Sequence, residues 1–494
     1  MTLLRLCALN PFAVQGPRLR RVIRRWRNPP KQRYIGSVLA QTPLTHSSTA
    51  RDRGLLRRWI KTNFLIPPEW LLYIAHFALT IKTFTFILTF VSEPIKDHPR
   101  VSSPGHGLRG ETLPNPPLTK RDFLRACGMG LCVLSGIQWI GFPRTSHAQI
   151  TQKGLVKTKL SPFFTPLEGG EVQCELCPKY CRVSKGKRGF CRVRENRDGK
   201  YYSLVYGNPC AVHLDPIEKK PFFHVLPATT SFSLATAGCN FQCKFCQNWE
   251  ISQAQPEDLY NYDMSPELVV KKAEEMGARS VAYTYVEPTI FYEFMLDIGL
   301  LAKKEGLMNV CHSNGFINPD PLRKLCRVMD AANIDLKGFT ETYYRELCEG
   351  ELAPVLETLK ILKQEKVHLE ITNLVVPTKN DDPAVVKEMC LWVRKELGAD
   401  TPIHFSRFYP LYKLRTLPPT PVSTLEKIRD VALSAGLEYV YIGNVPGHEA
   451  ENTFCPKCKK KIIQRSGYVT GEIHLKGGKC GYCGKPIPGI WHAT

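Results

Sequence analysis

At 494 residues the chain is longer than one typical domain and can bury a full-sized core. Its formal charge of +22 is unevenly placed, since residues 1–150 hold 22 Lys and Arg against 6 Asp and Glu, leaving 45 against 39 elsewhere. The basicity therefore belongs to an N-terminal extension, and total charge gives no ground for a nucleic-acid partner.

Residues 1–118 read as that extension. Residues 1–63 are Arg-rich without an amphipathic period, 64–95 are apolar and aromatic, and 96–118 are rich in Pro, Gly and Ser, as linkers are. The stretch 71–91 is long enough to cross a bilayer. Against this, Lys82 near its centre costs about 2.5–3.5 kcal/mol on insertion scales. Residues 119–149 have the basic start, apolar centre and small-residue exit (His147-Ala148) of an export signal. The run Thr119-Lys120-Arg121-Asp122-Phe123-Leu124 is similar to a twin-arginine signal in which Lys120 replaces the first arginine. Two readings stay open: residues 1–118 precede the true start, or 71–91 and 127–141 anchor the protein to a membrane.

Nineteen cysteines suggest disulfides until their spacing is read. Eleven fall in three groups, which in a chain this long favours metal over disulfide and a reducing compartment. The other eight, Cys311 and Cys390 among them, are expected to be buried small hydrophobes. Cys174-x2-Cys177-x3-Cys181-x9-Cys191 offers four thiolates within a small module over 165–225. They satisfy one closed centre, either structural Zn²⁺ or an auxiliary iron–sulfur cluster, and spacing does not separate the two.

From 226 to 447 the pattern alternates between strand and helix. Strands are predicted at Ser231–Ala237, Ser280–Tyr285, Met308–His312, Ala332–Leu336, His368–Val376, Ile403–Phe408 and Tyr439–Ile442. Helical periodicity lies between them, as in Pro266–Met276, Ile290–Lys304 and Ala384–Leu397. This predicts an α/β fold on a parallel sheet, a partial (β/α)6-type barrel.

The loop after the first of these strands carries Cys239-x3-Cys243-x2-Cys246. Three thiolates at this spacing can hold three irons of a [4Fe–4S] cluster and leave the fourth open, whereas an electron-transfer ferredoxin closes every iron. A zinc knuckle would need a fourth ligand, and no cysteine follows Cys246 before Cys311. In the tail, Cys455-Pro-Lys-Cys458 and Cys480-Gly-Tyr-Cys483 are paired knuckles, close to the zinc pattern. They predict a C-terminal zinc-ribbon or rubredoxin-like lobe over 448–494, with Zn²⁺ favoured over iron because zinc needs no redox partner.

The triplet, with Phe245 just before its third cysteine, resembles the radical SAM enzymes. Five passages are similar to the pyruvate formate-lyase-activating branch, and more closely to the radical SAM enzyme of the AmmeMemoRadiSam system. They are Cys174–Cys181, Asp215-Pro-Ile-Glu-Lys-Lys-Pro221, Gly238–Asn248, Tyr283-Thr-Tyr-Val-Glu287-Pro288 and the C-terminal pairs. The resemblance covers about 165–494. It implies a [4Fe–4S] cluster and S-adenosylmethionine (SAM), reductive cleavage to a 5′-deoxyadenosyl radical, and hydrogen abstraction from a substrate. It implies that Glu287 accepts a hydrogen bond from the SAM amino group. Asp335 and Lys337 match an Asp-x-Lys, with Lys337 facing the SAM carboxylate or the substrate. Phe245 would pack beside adenine, and Asn314 lies in a further strand-end group, Ser313-Asn314-Gly315. His312 and His404 are read as packed or solvated.

The resemblance further implies a flavodoxin- or ferredoxin-type electron donor and a cytoplasmic catalytic region, where SAM and low-potential electrons are supplied. The two extra cysteine modules favour a protein-borne substrate, with activation of a glycyl-radical enzyme as the second reading. An electron-transfer iron–sulfur protein would need neither an open iron site nor a long α/β scaffold. A zinc-stabilised nucleic-acid binder would interleave basic and aromatic residues across its cysteine modules.

Overall fold

The computed structural model describes residues 151–492. The predicted spanning segment 71–91 and the signal-like stretch 119–149 lie outside the described residues. Among the described residues no helix is long and apolar enough to cross a membrane.

Eight strands form the main sheet: β1 (Ala211–Pro216), β2 (Thr230–Ala235), β3 (Ser280–Tyr283), β4 (Met308–Ser313), β5 (Ala331–Asp335), β6 (His368–Val375), β7 (Ile403–Arg407) and β8 (Val440–Gly443). They lie in chain order across the sheet, and β1 and β8 form its two edges. Strands β2 to β8 are parallel, with registers such as Ser280 beside Ser231 and Met308, and Ile403 beside Ile371 and Val440. Between them run α1 (Pro266–Glu275), α2 (Tyr292–Lys304), α3 (Pro319–Cys326), α4 (Leu352–Gln364), α5 (Pro383–Glu396) and α6 (Val422–Ser434). Six strand–helix units are thus followed by a seventh parallel strand.

The local chemistry explains the alternation. The strands are short apolar runs buried on both faces, all four residues of β3 among them. The helices start at clear signals. Ser265 caps α1 by accepting from the Leu268 amide, Asp382 caps α5 by accepting from Ala384, and Pro266, Pro319 and Pro383 each open a helix.

One segment departs from the sequence reading. Residues 211–225, expected in the cysteine module, belong to the main sheet and its floor. β1 pairs antiparallel with β2 along its length, from Ala211 beside Ala235 to Pro216 beside Thr230. The chain from Ile217 to Leu226 then covers the end of the sheet where the parallel strands begin. There the amides of Phe223 and His224 donate to the carboxylate of Glu370, at 3.0 and 2.8 Å, and His404 Nε2 lies 2.7 Å from its other oxygen. Burial alone would raise the Glu370 pKa, but His368 and His404 beside it hold the carboxyl well below its usual range.

The cysteine module itself comprises two small three-stranded sheets between Lys159 and Ser203. A buried ion pair ties it to α2, with Arg194 Nη1 and Nη2 donating to Glu293 at 2.8 and 2.6 Å. The C-terminal lobe packs on the floor. Cys455, Cys480, Ile462 and Ile487 share a core with Phe223, Tyr439 and Tyr441, and Arg465 Nη2 donates to the Phe223 carbonyl at 2.7 Å.

Candidate active site

Functional residues of parallel α/β folds gather where the strands end, because the loops there can vary without disturbing the sheet. The cysteine triplet sits in the loop leaving β2 at that end. Backbone and side chains hold this loop from several sides. The amides of Gln242 and Lys244 donate to the carbonyls of Cys348 and Leu347 at 2.9 and 2.8 Å, and the Gly238 amide to Ile251 at 2.9 Å. Asn240 Nδ2 donates to the Phe316 carbonyl at 2.8 Å, and Asn314 Nδ2 donates to Asn240 Oδ1 at 2.8 Å. Gly238 has φ +93°, and a Cβ there would stand 2.6 Å from the Cys191 carbonyl oxygen, so no other residue fits.

The strand-end residues predicted from sequence come together in two groups. Glu287, after β3, is buried and braces the next strand end. Its Oε1 accepts from the Thr289 amide (3.0 Å), Thr289 Oγ1 (2.7 Å) and Ser313 Oγ (2.7 Å). Its Oε2 accepts from the Asn314 amide at 2.7 Å, which leaves one acceptor site on that oxygen. Burial raises its pKa. Asn314 has both ends of its amide occupied, by Asn240 and by the Phe316 amide at 2.9 Å. It locks the cluster loop to the end of β4.

The second group is His312, Asp335 and Lys337. Asp335 takes Lys337 Nζ at 2.7 Å on one oxygen and faces His312 Nε2 at 2.9 Å with the other. Burial would raise the Asp335 pKa, but Lys337 and His312 hold it well below the usual carboxylate range. Burial would lower that of Lys337, but Asp335 and then Cys243 raise it, so the ammonium persists beside the cluster loop. Phe245 is buried, its ring 6.1 Å from that of Tyr343. His404 belongs to the floor, paired with Glu370.

The family model of the radical SAM superfamily matches residues 233–389, which spans the triplet and the strand ends just described. An uncharacterised protein of Methanocaldococcus jannaschii is 46% identical over 327 residues, 66% of this chain and 97% of that protein. The chain belongs to the radical SAM superfamily. It is also 23% identical to a pyruvate formate-lyase-activating enzyme of Listeria monocytogenes over 164 residues, 31% of this chain and 64% of that enzyme. A solved domain of the same kind of enzyme from Bacteroides vulgatus covers 33% of this chain and 99% of its own, at 15% identity and a TM-score of 0.31.

This radical SAM enzyme carries two kinds of cysteine set. A tetrahedral ion with metal–sulfur bonds of about 2.3 Å sets its sulfurs about 3.8 Å apart. In the tail, Cys455 Sγ lies 3.6 Å from Cys483 Sγ, and Cys458 Sγ 3.7 Å from Cys480 Sγ. Both knuckles turn alike, with Lys459 and Gly484 left-handed just after the second cysteine, and their amides donate to Cys455 and Cys480. Among the described residues this is the only group of three or more Cys, His, Asp or Glu whose ligand atoms all lie within 4.8 Å of one another. Cys239, Cys243 and Cys246 do not form such a group.

Three residues of this site were not picked out from sequence. Asn240 is the tie to Asn314 and follows Cys239 directly, so its position was a usable signal. Ser252 Oγ lies 3.3 Å from Cys246 Sγ. Cys348, one of the scattered cysteines, is buried near Cys243 and draws its thiol pKa down. Nothing local to Cys348 marks it; a π-helical turn, Tyr344–Cys348, brings it there.

Proposed function

We propose that this enzyme directs its radical at a hydrogen atom of a protein-borne substrate, and that it falls in the AmmeMemoRadiSam group of the superfamily. When bound, the cluster supplies one electron that breaks the sulfonium–C5′ bond of SAM, and the 5′-deoxyadenosyl radical takes the hydrogen. Cys239, Cys243 and Cys246 would hold the cluster, leaving it open to SAM. Lys337, oriented by Asp335, faces the SAM carboxylate, and the free acceptor site of Glu287 Oε2 takes the amino group. Phe245 flanks the adenine. Asn314 positions the loop. The sheet acts as a partial barrel around these groups, and reduction comes from a flavodoxin- or ferredoxin-type protein.

The observation that carries this reading is the three-thiolate loop, pinned at the strand ends beside a paired ammonium. A large substrate is supported by the rim at the same end. Tyr409 and Leu411 are exposed there, and Trp249 and Tyr412 stack at 5.2 Å between ring centroids. Similarity to enzymes named for pyruvate formate-lyase activation favours a glycyl-radical enzyme as the second reading. In the lobe over 448–492, Cys455, Cys458, Cys480 and Cys483 hold Zn²⁺. That lobe packs on the floor, at the opposite end of the strands from the triplet, which supports a structural role over an electron relay.

The test is anaerobic reconstitution followed by reduction with SAM. The parent chain should release 5′-deoxyadenosine, and replacing any one of Cys239, Cys243 and Cys246 by Ala should abolish release. Deuterium should reach 5′-deoxyadenosine from a labelled protein. Label arriving only from a free small metabolite would refute the substrate class.

A further inference from the structure

We propose that Cys174, Cys177, Cys181 and Cys191 hold a second iron–sulfur cluster of the four-iron type, and not zinc. The four thiols line one enclosed cavity in the module beside the triplet loop. Their arrangement differs from that of the tail. The tail sulfurs converge as one tetrahedral ion requires, whereas the module's sulfurs are not drawn together within 4.8 Å. A cubane of four irons and four sulfides places its terminal thiolates at the corners of a body several ångströms across. The triplet of this same chain, which belongs to the cluster-binding superfamily, is not drawn together within 4.8 Å either.

A second observation comes from the wall of the cavity. Arg194 lines it and is 1% exposed, and its Nε has no hydrogen-bond partner. Its other nitrogens are engaged by Glu293, Ser161 and the Ile290 carbonyl. A buried N–H without an acceptor costs about 1–3 kcal/mol, so an acceptor is expected there. The sulfides and thiolates of a cluster supply one. The Phe190 amide already donates to Cys181 Sγ at 3.4 Å, the kind of N–H···S bond that tunes cluster potentials.

The cavity adjoins the SAM site. Asn240, the residue after Cys239, is part of its wall, and Gly238 packs against the Cys191 carbonyl. Cys181, the least buried of the four, lies next to the exposed Tyr180. A cluster here would take one electron from a reduced flavodoxin- or ferredoxin-class protein and pass one electron to the triplet's cluster, with no bond or proton changing hands. This relay rests on the reading of the triplet given above; the identity of the metal does not.

The experiment uses the full chain reconstituted anaerobically, with iron, sulfide and zinc measured. About eight irons and eight sulfides per chain are expected, alongside zinc. Cys177→Ala/Cys191→Ala should lose about four irons and keep the zinc. Because that variant could disturb the module's fold, the triple variant Cys239→Ala/Cys243→Ala/Cys246→Ala is measured too. It should keep about four irons, with a reduced EPR signal that SAM does not alter. A parent chain with two zincs and about four irons, all lost in the triple variant, would overturn the proposal. A chain with about eight irons that fails to cleave SAM would defeat the activity and leave the second cluster standing. With the protein donor, Cys177→Ala/Cys191→Ala should make 5′-deoxyadenosine at least ten-fold more slowly, while dithionite restores the rate. An unchanged donor-driven rate would overturn the relay.

Discussion

Replacing Glu287 by Gln should loosen the active site without changing its shape. The carboxylate is 3% exposed and is met by four donors, three on Oε1 and the Asn314 amide on Oε2 at 2.7 Å. Gln preserves the first oxygen but puts an NH2 where Oε2 stood, facing the Asn314 N–H donor to donor. One charge-assisted bond, about 1.5–3 kcal/mol, is lost, and a buried donor goes unpaired at about 1–3 kcal/mol. Burial already disfavours the charge, so removing it returns part of this, and a net loss of about 2–3 kcal/mol is expected. Asn314 holds Asn240 at 2.8 Å, so the disturbance reaches the cluster loop. The thermal midpoint of the reconstituted enzyme should fall by about 5 °C. The dissociation constant for SAM should rise at least ten-fold, because the free acceptor site becomes a donor aimed at an ammonium. Ser313→Ala, which removes one donor from Oε1 and the acceptor of the Gly315 amide, should also cost about 1–3 kcal/mol but leave SAM affinity unchanged. If Glu287→Gln matched the parent in both midpoint and SAM affinity, the carboxylate would be neither brace nor ligand.

Cys458→Ser/Cys480→Ser should lose about one zinc per chain and lower the thermal midpoint by about 10 °C or more. SAM cleavage below that midpoint should persist, because the lobe sits at the far end of the strands; zinc content equal to the parent's would count against the site. His224 predicts a pH effect. Burial lowers its pKa from 6.5 to about 3, so the unfolded chain binds the proton that the folded one refuses. Its contribution is complete above pH 6.5 and is lost as pH falls toward 3, amounting to about 2 kcal/mol at pH 5. Denaturation midpoints measured at pH 7 and pH 5 should therefore differ less in His224→Asn than in the parent, and an equal difference would contradict this.

Much of the scaffold was legible because it follows from local patterning. The seven parallel strands were placed to within two residues of their observed ends, since short apolar runs bounded by turn residues have few other uses. β1 escaped that reading. His213, Asp215 and Pro216 interrupt its apolar pattern, and only pairing with β2 makes it a strand. The consequence was a module boundary drawn too late, with the floor of the sheet assigned to the wrong part.

At the site, residue type and spacing grouped the thiols, because Cys-x3-Cys-x2-Cys and paired knuckles are properties of a few consecutive residues. They also marked Glu287, Asn314, Asp335 and Lys337 as strand-end residues. What those residues touch was decided by the tertiary structure: Lys337 by Asp335, Asn314 by Asn240 after Cys239, Cys243 by Cys348 more than a hundred residues away. The same holds for the metal sets. Spacing alone leaves zinc and iron–sulfur open for Cys174–Cys191, because both take four thiolates. How the four thiols stand is set by long-range packing, by Gly238 against Cys191 and Arg194 against Glu293, which no local run of sequence encodes.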